Sequence, residues 1–254
     1  MILDSFRLDG RVAAVTGGNR GLGQASALAL AEAGADVALI GRTAPESTLE
    51  QIAALGRRAT FVPCDLGEAS PTDLHAAVQS VIDGHGRLDI LVNNAGTIRR
   101  APAADVTPDD WDDVLTVNLD AVFHLSQAAG RHMLDQGSGK IIMIASMLSY
   151  QGGIRVPAYT AAKHAVVGIT KALANEWAAA GVNVNAIAPG YMATDNTAAL
   201  RADPSRAPGI LDRIPAARWG TPDDLKGAVA FLASDASSYL HGTVLPVDGG
   251  WLAR

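Results

Sequence analysis

Residues 12–23 have the sequence VAAVTGGNRGLG, an apolar β-type run that leads into a glycine-rich turn. An Ala-rich helical pattern over residues 22–33 follows at once. In this order of strand, turn and helix, glycines let the main chain approach a pyrophosphate, and the helix N-terminus presents N–H groups to it. The spacing Gly-x3-Gly-x-Gly differs from the GxGxxG fingerprint, so a purely structural glycine turn is the alternative. The candidate phosphate-binding residues are Gly17, Asn19, Arg20, Gly21, Leu22 and Gly23.

Short apolar runs alternate with longer helical patterns along the rest of the chain. The other predicted strands are residues 37–40, 59–62, 90–92, 140–145, 182–188 and 244–247. The predicted helices are residues 22–33, 47–55, 72–82, 108–119, 121–134, 158–179 and 222–232. Strands that are apolar throughout and are separated by helices indicate a parallel sheet covered on both faces, with right-handed connections. We therefore predict one α/β domain over residues 1–254, a Rossmann-type doubly wound parallel β-sheet with helices on both faces.

The composition argues against several kinds of partner. The 254 residues carry a formal net charge of −6 at pH 7, so we expect neither nucleic acid nor an anionic membrane as the main partner. No uncharged apolar stretch reaches membrane-spanning length and residues 1–10 lack the apolar core of a signal peptide, so we expect a cytoplasmic protein. The single cysteine, Cys64, excludes an internal disulfide and is interpreted as structural. No Cys, His and Asp residues stand at metal-ligand spacing, so no catalytic metal is expected.

The end of the second predicted strand indicates which dinucleotide is bound. Proteins that bind NAD place an acidic residue there to hold the ribose hydroxyl. This chain has Gly41 and Arg42 instead, its first acid is Glu46, and Arg20 adds a second cation within the glycine turn. Two cations without a carboxylate suit a 2′-phosphate, which a carboxylate would repel. We predict NADP in preference to NAD; the alternative is that Arg42 is a solvated surface residue and both cofactors bind.

Tyr159 and Lys163 form the sequence YxxxK within the predicted helix 158–179, which puts both side chains on one face, one turn apart. A tyrosine phenol has a reference pKa of about 10, and a neighbouring ammonium favours the phenolate and lowers that pKa. The pair can then exchange a proton with an alcohol or a ketone near neutral pH. His124 and His164 are interpreted as helix residues without a catalytic role, since His164 points to a different helix face from Lys163.

Several motifs occur in one order along nearly the whole chain. They are TGGNRGLG at residues 16–23, Asp65-Leu66, NNAG at residues 93–96, Asn118, Ser146, YxxxK at residues 159–163 and Pro189-Gly190. In this combination the chain resembles the short-chain dehydrogenase/reductases, a family of NAD(P)-dependent oxidoreductases whose cofactor supplies the hydride chemistry.

The resemblance implies roles for four side chains. Tyr159 would be the general acid or base, and Lys163 would lower its pKa and bind the nicotinamide ribose. Ser146 would orient the substrate oxygen, and Asn118 would hold a water in a proton relay with Lys163. An ordinary strand-end serine is the alternative for Ser146, and a helix-bending polar residue is the alternative for Asn118.

The resemblance also implies further cofactor contacts and an assembly. Asp65 would contact the adenine, with a plain turn residue as the alternative, and the loop after the fourth strand would line the cofactor groove. The implied cofactor-binding residues beyond the glycine turn are Arg42, Asp65, Leu66, Asn93, Ala95, Gly96, Tyr159, Lys163, Pro189, Gly190, Met192 and Thr194. Homotetramers are usual in the family, so we expect a homotetramer with contacts from residues 121–134 and 158–179.

Four stretches narrow the resemblance to a branch of the family that acts on sugar acids of the gluconate and 2-dehydro-3-deoxygluconate type. They are GTIRR at residues 96–100, ASMLSYQGGIRVPAY at residues 145–159, APGYMAT at residues 188–194 and VDGGWLAR at residues 247–254. A sugar-acid carboxylate calls for a cation, and Arg155, Arg99 and Arg100 lie in loops that follow predicted strand ends. For each of them a surface or subunit-contact arginine is an equal alternative. The candidate substrate-binding residues are Ser146, Met147, Gln151, Arg155 and Arg99.

Two other functions stay open. The first is a reductase of 3-oxoacyl thioesters or other ketones, although the extra arginines suit a pantetheine chain less well than an apolar channel would. The second is a cofactor-binding sensor without chemistry, against which the intact Ser146, Tyr159 and Lys163 argue.

Residues 191–221 interrupt the alternation of strands and helices. They are rich in Pro, Asp and Arg, lack an obvious strand and follow a strand end, where α/β proteins bind ligands. We predict that this segment is a mobile lid over the substrate, with a static surface excursion as the alternative.

Overall fold

The computed structural model describes all 254 residues and contains one seven-stranded sheet in which neighbouring strands are parallel. The strands are β1 (Val12–Thr16), β2 (Asp36–Gly41), β3 (Ala59–Pro63), β4 (Ile90–Asn93), β5 (Gly139–Ile144), β6 (Val182–Pro189) and β7 (Val244–Val247). They lie in the order β3-β2-β1-β4-β5-β6-β7. Each strand begins and ends within one residue of its prediction. The predicted doubly wound α/β fold is confirmed.

Helices cover both faces of the sheet. They are α1 (Gly21–Glu32), α2 (Glu46–Ala54), α3 (Pro71–His85), α4 (Pro108–Leu115), α5 (Ala121–Gln136), α6 (Pro157–Trp177), α7 (Ala198–Arg201), α8 (Ala207–Arg213) and α9 (Lys226–Ala233). One apolar layer holds α3, α5 and α6, and the other holds α1, α2 and α9. Val12 and Ala14 of β1 point into the first layer and Ala13 and Val15 into the second, because successive strand side chains alternate between faces.

The strand order reverses between β1 and β4, which are neighbours in the sheet although β2 and β3 separate them in the sequence. In open parallel sheets, ligands bind beyond the carboxyl ends of the strands at such a reversal, because the loops on either side diverge and leave a crevice. The loops that follow β1, β4, β5 and β6 all leave the sheet here. We call this end of the sheet the carboxyl edge and the opposite end the amino edge.

Two predicted helices differ from the observed ones. The pattern predicts one α-helix over residues 108–119, but α4 ends at Leu115 and a π-helical turn, Thr116–Asp120, joins it to α5. The predicted helix 222–232 begins as a 3-10 helix, Pro222–Leu225, before α9. There the Asp224 carboxylate accepts a hydrogen bond from the Thr221 main-chain N–H at 2.7 Å, which tightens the first turn.

Residues 191–221 contain no strand of the sheet and include the short helices α7 and α8. Most of the segment is exposed, but Ile210 and Ile214 are buried in the apolar layer that holds α3, α5 and α6. The segment therefore lies over the carboxyl edge on a small apolar anchor. No helix of the protein combines the length and the apolar character that crossing a membrane requires.

Candidate active site

The glycine turn after β1 forms a narrow cradle at the carboxyl edge. A Cβ atom on Gly23 would clash with the carbonyl oxygen of Gly17, so only glycine lets α1 begin this close to the turn. Gly17 itself has φ +68°, a conformation that favours glycine. No side chain caps α1, which leaves the first N–H groups, of Gly21, Leu22 and Gly23, available to an anion. The residues present therefore fit the pyrophosphate of a dinucleotide.

Thr16 and Asn94 fasten this cradle to the end of β4. The Thr16 hydroxyl accepts hydrogen bonds from the main-chain N–H groups of Asn94 at 3.0 Å and Ala95 at 2.9 Å. The Asn94 amide donates to the Thr16 carbonyl at 2.9 Å. Sequence reasoning missed both as positioning residues. A polar residue at the end of β1 and another just past the end of β4 were the available signal, because these strands flank the crevice.

The two cations predicted for a 2′-phosphate have different environments. Arg42 is exposed and makes no hydrogen bond or ion pair within the protein. Arg20 is paired with Asp195 of the segment 191–221, with 2.7 Å between Nη1 and Oδ2. Asp65, the predicted adenine contact, accepts a hydrogen bond from the Gly67 N–H at 3.0 Å, as a turn residue does. Only Arg42 therefore presents a free guanidinium at the end of β2.

Ser146, Tyr159 and Lys163 come together at the carboxyl edge. Lys163 is 4% exposed, its Nζ donates to the Ile144 carbonyl at 2.6 Å, and it lies 5.6 Å from the centre of the Tyr159 ring. Ser146 lies two residues after β5 and accepts a hydrogen bond from the Leu148 N–H at 3.1 Å, which holds its hydroxyl beside the phenol. The arrangement offers a phenol, a hydroxyl and an ammonium to one small volume.

Burial governs the protonation of this group. It raises the pKa of the Tyr159 phenol, because the phenolate is poorly solvated there, and the Ser146 hydroxyl and the Arg100 guanidinium act against the rise. It also lowers the pKa of Lys163 to about 8. In this conformation the Lys163 ammonium is bonded to the Ile144 carbonyl and desolvation of the phenol dominates its pKa, so the lowering of that pKa by Lys163 stays a prediction.

Ser149 is a further positioning residue that sequence reasoning missed. It is buried, its hydroxyl donates to the Lys163 carbonyl at 2.7 Å, and it accepts from the Ser146 N–H at 3.3 Å. It therefore fixes the start of α6 relative to the end of β5. Its position three residues after Ser146, where a capping box places its second polar residue, was the signal.

Asn118 is fully buried within the π-helical turn between α4 and α5. Its amide donates to the Thr97 carbonyl at 2.7 Å, and its carbonyl accepts from the Thr97 N–H at 3.0 Å. The side chain thus holds the loop after β4 in place. The helix is distorted at this residue, as the helix-bending alternative expects, and π turns are frequent at functional sites. Its role in a proton relay stays a prediction.

The other predicted cofactor residues lie along the carboxyl edge, with one exception in side-chain direction. Asn93 is buried and its amide donates to the Ser126 hydroxyl at 2.9 Å, so its side chain faces α5 and only its main chain can reach the crevice. Thr194 packs over Gly21 at the start of α1. The remaining ones follow the ends of β3, β4 and β6, and are Leu66, Ala95, Gly96, Pro189, Gly190 and Met192.

The two neighbouring arginines after β4 have different partners. Arg99 is paired with Asp113 of α4 at 2.9 Å and with Asp110 at 3.6 Å. Arg100 donates to the Asn196 carbonyl at 3.1 Å and is close enough to Tyr159 to influence its pKa. Arg99 is therefore engaged by α4, whereas Arg100 joins the loop after β4 to the segment 191–221 and its charge reaches the phenol.

The loop after β5 carries the other predicted substrate contacts. Arg155 is exposed and has φ +64°, and its carbonyl accepts from the Ala101 N–H at 3.1 Å. Met147 is buried. The Gln151 side-chain carbonyl lies 3.4 Å from Nη2 of Arg213, which ties this loop to α8. The loops after β4 and β5 and the segment 191–221 thus enclose one crevice.

The histidines and the cysteine lie outside this group of side chains. His164 is exposed, with Nδ1 2.9 Å from the Thr160 carbonyl, and His124 packs against His75 with 6.0 Å between ring centres. Burial raises the pKa of the half-buried Cys64 thiol, which agrees with a structural residue. No three His, Cys, Asp or Glu side chains lie close enough together to hold a metal ion.

Comparisons with known proteins agree with this geometry. The family model described as Enoyl-(Acyl carrier protein) reductase matches residues 17–252. The chain is 55% identical over 255 residues to the 2-dehydro-3-deoxy-D-gluconate 5-dehydrogenase of Escherichia coli K12, and the match covers 100% of both proteins.

Two crystal structures extend the comparison to the fold. A candidate 2-deoxy-D-gluconate 3-dehydrogenase from Agrobacterium tumefaciens with bound NADP has a TM-score of 0.93 at 56% identity, covering 99% of this chain and 100% of that one. A candidate NAD(P)-dependent gluconate 5-dehydrogenase from Beutenbergia cavernae, with NADP at low occupancy, has a TM-score of 0.94 at 54% identity, covering 98% and 100%. The chain therefore belongs to the short-chain dehydrogenase/reductase family.

Proposed function

We propose that this chain is an NADP-dependent oxidoreductase that interconverts a secondary alcohol and a ketone on a sugar acid of the gluconate or 2-dehydro-3-deoxygluconate type. The observation that carries the proposal is the meeting of Ser146, Tyr159 and Lys163 beside a glycine cradle, with the Arg100 guanidinium near enough to favour the phenolate. The names of the relatives, a 2-dehydro-3-deoxy-D-gluconate 5-dehydrogenase among them, support the substrate class.

The cofactor is held by the cradle and by the end of β2. The free N–H groups at the start of α1 bind the pyrophosphate, and the unpaired Arg42 guanidinium binds the 2′-phosphate with charge-assisted hydrogen bonds. Bound NADP in two related structures supports this choice of dinucleotide. When bound, the nicotinamide supplies the hydride acceptor for oxidation and the hydride donor for reduction.

Tyr159 moves the proton. In the oxidation, its phenolate accepts the proton of the substrate hydroxyl as a hydride leaves the carbon that bears this hydroxyl. In the reduction, its phenol donates a proton to the carbonyl oxygen. Ser146 hydrogen-bonds the reacting oxygen and orients it. The buried Lys163 ammonium binds the nicotinamide ribose and favours the phenolate once a ligand draws it away from the Ile144 carbonyl. Asn118 completes the proton relay from its place beside Thr97.

Arg100 binds the substrate carboxylate in this proposal. It is the arginine after β4 whose charge reaches Tyr159, whereas Arg99 is neutralised by two aspartates of α4. An arginine can hold a carboxylate by two parallel hydrogen bonds, which fixes both the position and the angle of the sugar chain. Arg155, in the loop after β5, is the second candidate, and Met147 and Gln151 of the same loop would contact the sugar chain.

Residues 191–221 act as a lid over this crevice. Ion pairs and hydrogen bonds join the segment to three separate loops, through Arg20 with Asp195, Arg100 with Asn196 and Arg213 with Gln151. Few buried apolar side chains hold it, which favours local opening. Hydrogen exchange with and without NADP tests this, and unchanged protection of residues 192–217 would count against a lid.

A homotetramer in the cytoplasm completes the proposal. The support for the assembly is the usual state of the family, with contacts from the helices over residues 121–134 and 158–179, together with exposed apolar side chains such as Trp111 and Tyr239. Light scattering on the purified protein measures the mass in solution, and a monomer would overturn this part.

Initial-rate assays test the function directly. D-gluconate and 2-dehydro-3-deoxy-D-gluconate are each oxidised in the presence of NADP and of NAD, and acetoacetyl-CoA is offered with NADPH. Turnover of a sugar acid with NADP is expected. Turnover of the thioester alone would make the chain an acyl-thioester reductase. Tyr159→Phe should keep NADP binding and lose turnover, whereas a sensor would have no turnover to lose.

A further inference from the structure

A polar pocket opens at the amino edge of the sheet, on the opposite side of the protein from the crevice. It has a volume of about 410 Å³ and is formed by the starts of β5 and β6, by the loop before β4 and by the turn after α9. Almost all of its lining is polar or glycine, and it contains Lys140, the first residue after Gly139 in β5.

Each carboxylate of this pocket already has a cationic partner. Asp89 is paired with Arg87 at 2.6 Å. Asp235 is paired with Arg11 at 2.6 Å. The third carboxylate, Asp9 at the rim, is paired with Arg7. No carboxylate contacts Lys140, and the charge of Asp235 that reaches it is opposed by that of Arg11.

Lys140 is the cation that remains. Its side chain is 5% exposed, and Nζ donates one hydrogen bond, to Oδ1 of Asn183 at 3.0 Å. An ammonium has three N–H donors, so two are unused. Asn183 cannot neutralise the charge, because its amide donates to the carbonyls of Ser238 and Leu240 and its oxygen carries no formal charge. A buried charge without a counter-charge is costly, and burial lowers the pKa of Lys140 to about 8.

We propose that this pocket is a second binding site, for a small anion bearing a carboxylate or a phosphoryl group, with Lys140 as its buried cation. The anion provides a counter-charge in contact with Lys140. Its oxygens accept charge-assisted hydrogen bonds from the two unused N–H groups. Lys140 is the one cation of the pocket that no carboxylate contacts, so one negative group suffices. Ser138, at the rim, offers a hydroxyl donor to the same anion. The site is independent of the proposed catalytic function.

Thermal unfolding of the full chain saturated with NADP tests the proposal, because the cofactor then occupies the other phosphate site. Phosphate should raise the Tm of the wild type by about 2 °C or more over sodium chloride of equal ionic strength. The rise should vanish in Lys140→Met and in Lys140→Gln, of which the second keeps an N–H donor for Asn183. Lys171→Met, which removes an exposed lysine of α6, should keep it. The same rise in all four proteins would overturn the site.

The same measurement with malonate in place of phosphate distinguishes a carboxylate ligand from a phosphoryl ligand. A rise in Tm with phosphate alone assigns a phosphoryl group, and a rise with malonate alone assigns a carboxylate. A measurement on the wild type keeps the test independent of how the variants fold. Acetylation of Lys140 by acetic anhydride, followed by peptide mass spectrometry, should be slowed by the effective anion and not by chloride. Equal labelling with and without the anion would reject the proposal.

Discussion

Lys163 at the carboxyl edge and Lys140 at the amino edge are close physical counterparts. Each is about nineteen-twentieths buried, each donates one hydrogen bond to a neutral oxygen, and burial lowers the pKa of each to about 8. Their surroundings differ. Lys163 lies 5.6 Å from the Tyr159 ring, whereas Lys140 lies in a pocket lined by the ion pairs of Asp89 and Asp235. Burial alone makes a lysine costly, and its neighbours decide what it can do.

The first way to break the comparison is to remove the ammonium beside the phenol. Lys163→Met should lower kcat for D-gluconate with NADP by about 10²- to 10⁴-fold, because proton transfer by Tyr159 loses the cation that favours the phenolate. Lys171→Met, two turns further along α6 and exposed, is the matched control and should keep kcat. Similar rates for Lys163→Met and the control would mean that the buried lysine at this edge has no part in the chemistry.

The second prediction tests which cation at the carboxyl edge binds the substrate carboxylate. Arg100→Gln should lower kcat/KM for D-gluconate by about 10- to 100-fold, the loss expected for one hydrogen-bonded charge pair. Neutral polyols should lose less. Because the Arg100 guanidinium favours the Tyr159 phenolate, its removal should also move the alkaline rise of the oxidation rate to higher pH.

Arg131→Gln, an exposed arginine of α5, is the control for this substitution. A larger loss in Arg99→Gln than in Arg100→Gln would reassign the carboxylate to the arginine that the structure pairs with Asp113.

The third prediction concerns the cofactor that binds at the carboxyl edge. Arg42→Ala should lower kcat/KM for NADP about tenfold and leave the value for NAD nearly constant, because only the 2′-phosphate contacts this guanidinium. Assays with both dinucleotides at a fixed sugar-acid concentration measure the ratio. An equal loss with both cofactors would show that Arg42 supports the fold of the β2 end rather than the choice of dinucleotide.

The smallest effect concerns the amino edge and the stability of the protein. In chloride buffer at pH 7, Lys140 is charged in both the folded and the unfolded chain, so its desolvation cost is fully present. Lys140→Met removes that cost and should raise Tm by about 5 °C. Between about pH 8 and 10.5 the unfolded chain binds more protons at this residue than the folded one, so the wild type recovers stability as pH rises. The gain in Tm should shrink at pH 9.5, and a constant gain would contradict this account.

Local patterns in the chain predicted the sheet well, and the side chains of Ser146, Tyr159 and Lys163, which they predicted to be catalytic, lie together in the structure. β1 and β7 were predicted to the residue, because apolar runs between turn residues are a short-range signal. Ser146 and Tyr159 belong to family motifs that recur at fixed places on the fold. The prediction of one α-helix over residues 108–119 was wrong at its end, where the structure has the π turn. Asn118 of this turn bonds to Thr97, which is distant in the sequence, so a local pattern could not reveal the contact.

What could not be predicted depends on contacts between distant segments. Arg99 and Arg100 are adjacent and alike in the sequence, and only the packing of α4 assigns one of them to Asp113. The raised pKa of Tyr159 depends on how deeply its ring is buried. The pocket around Lys140 joins segments from both ends of the chain, and no motif marks it.

Arg155 has consequences for how this protein would drift under random mutation. A non-glycine residue at φ +64° costs roughly 1–2 kcal/mol relative to a relaxed conformation, and glycine would relieve that strain at a single position. A library selected only for heat resistance should therefore enrich glycine at residue 155. A library selected only for growth on a sugar acid should keep arginine there if its guanidinium touches the substrate. Comparing the two enrichments shows whether relief of backbone strain or contact with the substrate matters more at residue 155.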